Sequence, residues 1–142
     1  MAKFSTGLCK ILGDTAPVKT AFSTPELRYY SGSAPATADA AEGSIIATIK
    51  EGGAALTFSA TAPAGVLSKS ASAWTDPSTV GGTVTHARLC NAADGGGSST
   101  SLPRVQMTVG TGGTDIIVGT TTIGASIVYT VDYFTVTVGP PS

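Results

Sequence analysis

The stretch SIVYTVDYFTVTV, residues 126–138, decides the fold class. Apolar residues recur along it with a period of two, which is typical of a β-strand because successive side chains point to opposite faces. One face carries Tyr129, Val131 and Tyr133. The other carries Val128, Phe134, Val136 and Val138, with Asp132 as the single interruption. The pattern predicts one continuous strand, or two strands joined by a bulge.

Both faces of this predicted strand are apolar, and such a strand is buried on both faces or covered by a neighbour. We expect Phe134 and its face to belong to the core of the domain. The face that carries Tyr133 is then expected to be covered by another subunit.

Further strand candidates precede this run, separated by turns rich in Gly, Pro and Ser. They are residues 27–31, 44–50, 54–60, 65–70, 81–91, 104–109 and 115–118. No alternation of strands with helices follows residue 22. The sequence therefore predicts a mainly β fold, an antiparallel β-sandwich or small barrel, for a domain spanning residues 23–142.

The N-terminal residues 1–22 form a separate helical segment in this prediction. Ser5 or Thr6 can cap a helix, and Leu8, Ile11 and Leu12 fall at positions i, i+3 and i+4. The apolar face is narrow, so the helix needs a surface on which to dock. That surface is either its own domain or a partner, and deletion of the segment is expected to leave the β domain folded.

The composition limits the class of partner. Charged residues make up only 12% of the chain and the net charge is −1, which favours association between copies. The eight basic residues are scattered, so nucleic-acid binding is not expected. No apolar run is long enough for a membrane span and no secretory signal opens the chain, so we expect the protein to be made in the cytoplasm.

Residues with catalytic chemistry are few. His86 is the only histidine, and no nucleophile elbow accompanies the many serines. Asp94 stands beside three glycines, but the flanks lack the carboxylates of a calcium loop. Cys9 and Cys90 form no CxxC pair and are interpreted as free, mostly buried thiols. We therefore predict no enzyme activity, no catalytic residue, no cofactor and no metal.

Three expectations concern loops and aromatic residues. Residues 91–103 are interpreted as a flexible surface loop with no role in packing. Trp74 is expected in the core rather than as a sugar-stacking platform. Tyr29 and Tyr30 are neighbours on a strand, so one is expected in the core and the other exposed at an interface.

Several motifs together resemble a group of small tailed-phage virion proteins. The N-terminal FSTGL (residues 4–8) is similar to the start of their helical segment, and residues 27–41 and 43–49 are similar to their YSG turn, ADAA stretch and following strand. Phe58, the PAGVLSK stretch at 63–69, Trp74, the strand at 82–89 and the C-terminal half from TTI at 121–123 continue the resemblance over most of the chain. Cys9 departs from it, because a polar or basic residue is expected there.

The resemblance implies a non-enzymatic structural protein of the virion, assembled in the host cytoplasm. The leading hypothesis is a capsid decoration (cement) protein, expected to be a homo-oligomer, that binds the major capsid protein or other virion proteins. A neck, collar, tail or head-fibre-base component is one alternative. A carbohydrate- or host-binding module that uses Trp74 and the exposed tyrosine of the Tyr29–Tyr30 pair is another. The predicted interface residues are Leu8, Ile11, Leu12, Tyr29, Tyr30, Tyr129, Val131 and Tyr133.

Overall fold

The computed structural model describes residues 2–14, 18–62, 66–76 and 79–137. Two helices and twelve strands lie within these ranges. In chain order they are β1 (Lys3–Phe4), α1 (Thr6–Asp14), α2 (Val18–Ala21), β2 (Pro25–Tyr30), β3 (Ile45–Ile49), β4 (Val66–Ser68), β5 (Thr75–Asp76), β6 (Gly82–Thr83), β7 (His86–Asn91), β8 (Val105–Gly110), β9 (Ile116–Ile117), β10 (Thr122–Ile123), β11 (Tyr129–Thr130) and β12 (Tyr133–Thr137).

Eight of the described strands form one open sheet in the order β3-β2-β7-β8-β9-β12-β4, with β1 also paired to β8. Two small ladders, β10–β6 and β11–β5, lie outside it. The β8–β9 pair is parallel, whereas the other pairs among the described strands are antiparallel. The predicted mainly β fold with a short N-terminal helical segment is confirmed, and the sheet does not close into a barrel.

One hydrophobic core joins the two ends of this sheet. Ile49 of β3 and Leu67 of β4 belong to the same cluster of buried side chains, so the sheet folds over a shared interior. In its central strands, Leu27, Leu89 and Val105 form one cross-strand row that faces this core. Trp74, which is fully buried against Phe58 and Phe134, confirms the expectation of a core position.

The C-terminal run is broken into β11 and β12, and the break shifts the alternation by one residue. Asp132 and Tyr133 are both exposed, so Tyr129 and Val131 before the break face the same core as Phe134 and Val136 after it. The expected burial of Phe134 and Val136 is confirmed. Two expectations are wrong: Val128 is 63% exposed, and Tyr129 and Val131 are buried within their own chain. Val138 lies outside the described residues.

Two further strand predictions are too long. Residues 54–60 contribute isolated bridges rather than a strand, although Leu56 is buried. The run at 81–91 divides into β6 and β7, because Val84 and Thr85 donate backbone hydrogen bonds to Thr121 and Tyr30 instead of continuing one ladder.

The N-terminal segment docks on its own domain. Strand β1 pairs with β8, and Ser5 Oγ accepts hydrogen bonds from the backbone N–H groups of Leu8 and Arg104, so Ser5 caps α1 and ties it to the sheet. Leu8 is fully buried in the core. Of the two docking surfaces left open by the sequence, the chain's own domain is the one observed. The segment therefore has packing contacts that its deletion would remove.

Gly7 supplies the first prediction. A Cβ at this position would lie 2.4 Å from the carbonyl carbon of Ser101, so any side chain must push α1 away from the 101–102 backbone. We expect Gly7→Ala to lower the free energy of unfolding by about 1–3 kcal/mol, as overpacking does. Urea unfolding measures it. Gly112→Ala, where nothing lies within 4 Å, is the control and should change stability little; equal stability of the two variants would contradict the close packing of α1.

Candidate functional site

A layer of buried polar residues covers the face of the central strands that points away from the hydrophobic core. Alternation along β2, β7 and β8 places Arg28, Arg88 and Gln106 in one cross-strand row on this face. All three are less than 10% exposed. Charged side chains are almost never this buried unless they are paired, so each must have partners in the segments that cover them.

Two segments cover the layer. One is the strap, defined here as residues 33–44 between β2 and β3, and the other is the glycine loop, residues 92–102 between β7 and β8. The backbone N–H of Glu42 donates to the carbonyl of Gly96, and that of Ser99 donates to the carbonyl of Asp39. These bonds join the strap and the glycine loop into one cover.

Asp94 and Arg104 hold the glycine loop. The Arg104 Nε lies 2.6 Å from Asp94 Oδ2, and its Nη2 lies 2.7 Å from Asp94 Oδ1, which is a two-point ion pair. Asp94 Oδ1 also accepts the backbone N–H of Gly96 at 2.8 Å, and Arg104 Nη2 donates to the carbonyl of Gly97. The expectation of a flexible loop without packing contacts is therefore wrong, because its carboxylate is buried against an arginine.

Arg28 ties the start of the same loop to the sheet. Its Nη1 donates to the carbonyl of Asp94 at 2.6 Å and its Nη2 to that of Ala92 at 3.2 Å. Its Nε lies 2.6 Å from Glu26 Oε1 on the same strand. One guanidinium thus satisfies two loop carbonyls that would otherwise lie against the sheet without partners.

Glu42 fastens the end of the strap. Its Oε2 lies 3.1 Å from His86 Nε2, and its Oε1 lies 2.9 Å from Arg88 Nη2. Arg88 Nη1 donates to the carbonyl of Ala40, and Gln106 Nε2 donates to that of Pro35. The strap is thus held along its length by side chains of β7 and β8.

The charges of the layer balance. Arg28, Arg88 and Arg104 face the three carboxylates of Glu26, Glu42 and Asp94. Burial acts to raise the pKa of Asp94, but hydrogen bonds from Arg104 and Gly96 outweigh it and hold that pKa below its ordinary value. These interactions stabilise one fixed arrangement.

Cys90, a possible nucleophile, and His86, a possible base, are both buried at this layer. Burial raises the pKa of the Cys90 thiol to about 12, so the thiolate needed for attack is scarce. His86 stacks on Tyr30 with 5.5 Å between ring centroids, and both rings are buried.

Cys9 is exposed, against the expectation for a mostly buried thiol, and both cysteines are free. Within the described ranges no group of three or more His, Cys, Asp or Glu side chains could hold a metal ion.

The predicted interface residues divide by burial. Leu8, Tyr29, Tyr30, Tyr129 and Val131 are at most 7% exposed, so this conformation offers none of them to a partner. The expectation that one of the adjacent tyrosines is exposed is wrong, because Tyr29 faces the hydrophobic core and Tyr30 faces the polar layer. Ile11 and Leu12 are half-buried, and Tyr133 is 52% exposed.

Tyr133 belongs to an apolar outer face. Its cross-strand partner on β9 is Ile117, which is 36% exposed. Residues directly opposite in an antiparallel pair share a face and touch. The outer face is defined here as Tyr133 and Ile117, and sequence alternation alone could not find it, because Ile117 comes from a two-residue strand.

A second exposed apolar group lies near the end of β3. Val80 donates its backbone N–H to the carbonyl of Ile46, and the N–H of Ile127 donates to Thr79 Oγ1. These bonds bring Val80, 69% exposed, close to Ile45 and Ile127, which are 37% and 56% exposed. An open cleft of about 670 Å³ runs beside this group, and its Glu26 and Lys50 are paired with each other at 3.5 Å.

The long edges of the sheet are covered by the chain itself. Along β3, the Thr48 N–H donates to Asp76 Oδ2, and Lys50 forms a bridge with Thr75. Beside β4, the Ser59 N–H donates to the carbonyl of Ser68. Covered edges disfavour recognition by strand addition, so contacts through exposed side chains are the remaining mode.

No family model, curated protein or solved structure matches this chain. Across the described residues, no helix is both long and apolar enough to cross a membrane.

The Asp94–Arg104 pair gives the second prediction. Asp94→Asn keeps the shape of the side chain but leaves a buried guanidinium without its anion, which costs about 3–5 kcal/mol of stability. Urea unfolding of the variant should show this loss. Asp132→Asn, at an exposed position, is the matched control and should stay within about 0.5 kcal/mol of the wild type. A stable Asp94→Asn protein would mean that the loop is not held by this pair.

The lowered pKa of Asp94 sets a pH dependence. Because the carboxylate is favoured in the folded state, its contribution is fully present above the unfolded aspartate pKa of about 3.9 and is lost as the pH falls through the lower folded value. We expect wild-type stability to fall below about pH 4 and the fall to be shallower in Asp94→Asn. Thermal unfolding over this range checks it, and parallel curves for the two proteins would contradict it.

Proposed function

We propose that this chain is a non-enzymatic structural protein of a tailed-phage virion. In this proposal it is a capsid decoration protein that binds the outer surface of the head and bridges subunits of the major capsid protein. The resemblance of its motifs to small virion proteins supports the class. Binding through an exposed face is supported mainly by one observation: Tyr133 and Ile117 lie exposed side by side on a chain with only 12% charged residues.

Three features support binding rather than catalysis. The buried carboxylates of Glu26, Glu42 and Asp94 are each paired with an arginine, and Glu26, which lines the open cleft, is also paired with Lys50. The edges of the sheet are covered, which leaves side-chain surfaces for recognition. The outer face combines an aromatic ring that ends in a hydroxyl with an aliphatic residue, and such rings are enriched at protein interfaces.

Binding through the outer face requires little desolvation of charge. Apolar surface removed from water contributes about 25 cal/mol per Å², and covering uncharged neighbours avoids the penalty of burying ions. A modest contact of this kind becomes effective when it is repeated over a closed shell or through an oligomer. Assembly of this chain into an oligomer is part of the proposal.

A neck, collar, tail or head-fibre-base position is the alternative within the same class, because the outer face could bind a partner at any of these positions as well as on the head. Copy number per particle separates the two, because many symmetry-related copies, on the order of hundreds, are expected for decoration of the head and about twelve or fewer for a neck ring. The carbohydrate-binding alternative loses its platform, because Trp74 is fully buried.

Tyr133 and Phe134 provide the test, because they are adjacent on β12 and face opposite ways. Phe134 is 1% exposed in the core, so Phe134→Ala is expected to cost about 3–5 kcal/mol and impair folding. Tyr133→Ala is expected to leave the fold intact and to weaken binding to expanded capsid shells. Co-sedimentation with shells lacking the protein, together with thermal unfolding of the free chain, measures both effects.

Thr130→Ala is the matched control, since Thr130 is also exposed on a short strand of the same segment. It should bind shells like the wild type. Shell binding by Tyr133→Ala at wild-type level would remove the outer face from the proposal. No binding of the wild type to any head, neck or tail assembly would contradict the virion assignment.

A further inference from the structure

Beside the outer face, β12 and β4 present uncharged side chains along a groove. Thr135 lies on the same side of β12 as Tyr133, and Ser68 of β4 stands directly opposite Thr135. The groove has a volume of about 540 Å³, and Tyr133 forms part of its wall. Of the described residues that line it, Lys69 and Asp132 carry charge. The chemistry of a partner that covers the groove therefore depends on how these two charges are satisfied.

The ammonium group of Lys69 is satisfied within its own chain. Its Nζ donates to the carbonyl oxygens of Ser72 at 2.5 Å and of Ser70 at 3.2 Å. The same nitrogen lies 5.9 Å from the centroid of the Trp74 ring, which is within the range of a cation–π contact. These contacts hold the ammonium beside Trp74, so its charge is already engaged.

The carboxylate of Asp132 has no such partner. The residue is exposed, and within the described ranges no lysine, arginine or histidine forms an ion pair with it. Its Oδ2 lies 3.8 Å from the position that a Cβ on Gly119 would take, so the carboxylate stands beside the end of β9, the strand that carries Ile117. Asp132 also lines the same groove as Tyr133. A partner that covers Tyr133 and Ile117 therefore covers this carboxylate as well.

We infer that the partner of the outer face places an arginine side chain in this groove, with its guanidinium paired to Asp132 and set against the ring of Tyr133. Covering a carboxylate without a cation is strongly unfavourable. Since Lys69 is held by its own chain, the partner must supply the cation. The inference rests on the proposed function, because it names the chemistry of the partner at the same face.

Arginine fits this pair of groups better than lysine does. A guanidinium is planar, so it can bind a carboxylate at two points and also stack on an aromatic ring. An ammonium is a compact point charge that offers neither the two-point geometry nor the stacking surface. Asp132 supplies the carboxylate and Tyr133, which is 52% exposed, supplies the ring.

Binding of variants to capsid shells that lack the protein tests the charge. Asp132→Asn keeps the shape of the side chain at an exposed position and should lower the affinity for shells at least about tenfold, as loss of a close interfacial charge pair does. Gly119→Lys adds a competing cation beside the intact carboxylate and should lower the affinity similarly. Gly112→Lys adds the same charge where nothing lies within 4 Å of a Cβ, so it is the control and should bind like the wild type.

Photocrosslinking identifies the cation. With p-benzoylphenylalanine in place of Thr135, beside the groove, the shell peptides that become cross-linked should contain an arginine. Changing that arginine to glutamine in the shell protein should weaken binding of the wild-type chain at least about tenfold and weaken binding of Asp132→Asn little further, because the two changes remove the same interaction.

The outcomes separate this inference from the proposed function. Wild-type affinity in both Asp132→Asn and Gly119→Lys, with the wild-type chain itself bound to shells, would overturn the inference and leave the virion proposal standing. Cross-linked peptides that contain no arginine would overturn it as well. Failure of the wild-type chain to bind any head, neck or tail assembly would overturn both.

Discussion

The ion pair between Asp94 and Arg104 is the constraint on which the arrangement of this protein depends. The sheet has two faces to cover, and one of them carries three buried arginines. Burying a guanidinium is costly unless an anion and further acceptors surround it. Asp94 supplies the anion for Arg104, and carbonyl groups of the glycine loop and the strap supply the acceptors. The position of both loops, and through Asp39 and Ser5 that of α1, follows from this requirement.

A cover held by ions differs from one held by apolar side chains. An apolar cover tolerates sliding, whereas a set of matched donors and acceptors is satisfied in one register only. The glycines of the loop serve the same end, since Gly96 has a φ of 80° and presents its N–H to Asp94. The result is a domain in which Arg28, Arg88, Arg104 and their carboxylate partners are buried. The outer surface carries Thr, Ser, a few apolar residues and scattered charges such as Lys3 and Asp132. Such a surface suits close packing against other proteins.

Alternation predicted the strands of the central sheet, because β2, β3, β7 and β8 keep one phase over their length. It failed where the phase changes. The break at Asp132 and Tyr133 reverses the faces assigned to Tyr129 and Val128. No glycine or proline near it signals a break in the strand. The same reasoning missed the polar layer. A composition of aspartate among glycines indicates a flexible loop, and only the fold brings Asp94 to Arg104, ten residues away. Tertiary contacts decide which buried charges pair, and the spacing of residues in a single sequence does not predict those contacts.

The proposed virion function is tested most directly by a reconstruction of the intact phage particle that is proposed to contain this chain. The account predicts density for the domain on the outer surface of the head, in many symmetry-related copies, with Tyr133 and Ile117 turned toward a neighbouring protein. It also predicts that the strap and the glycine loop lie closed over the sheet in that density. A particle with no such density at the head, neck or tail, or with the outer face turned to solvent, would contradict it.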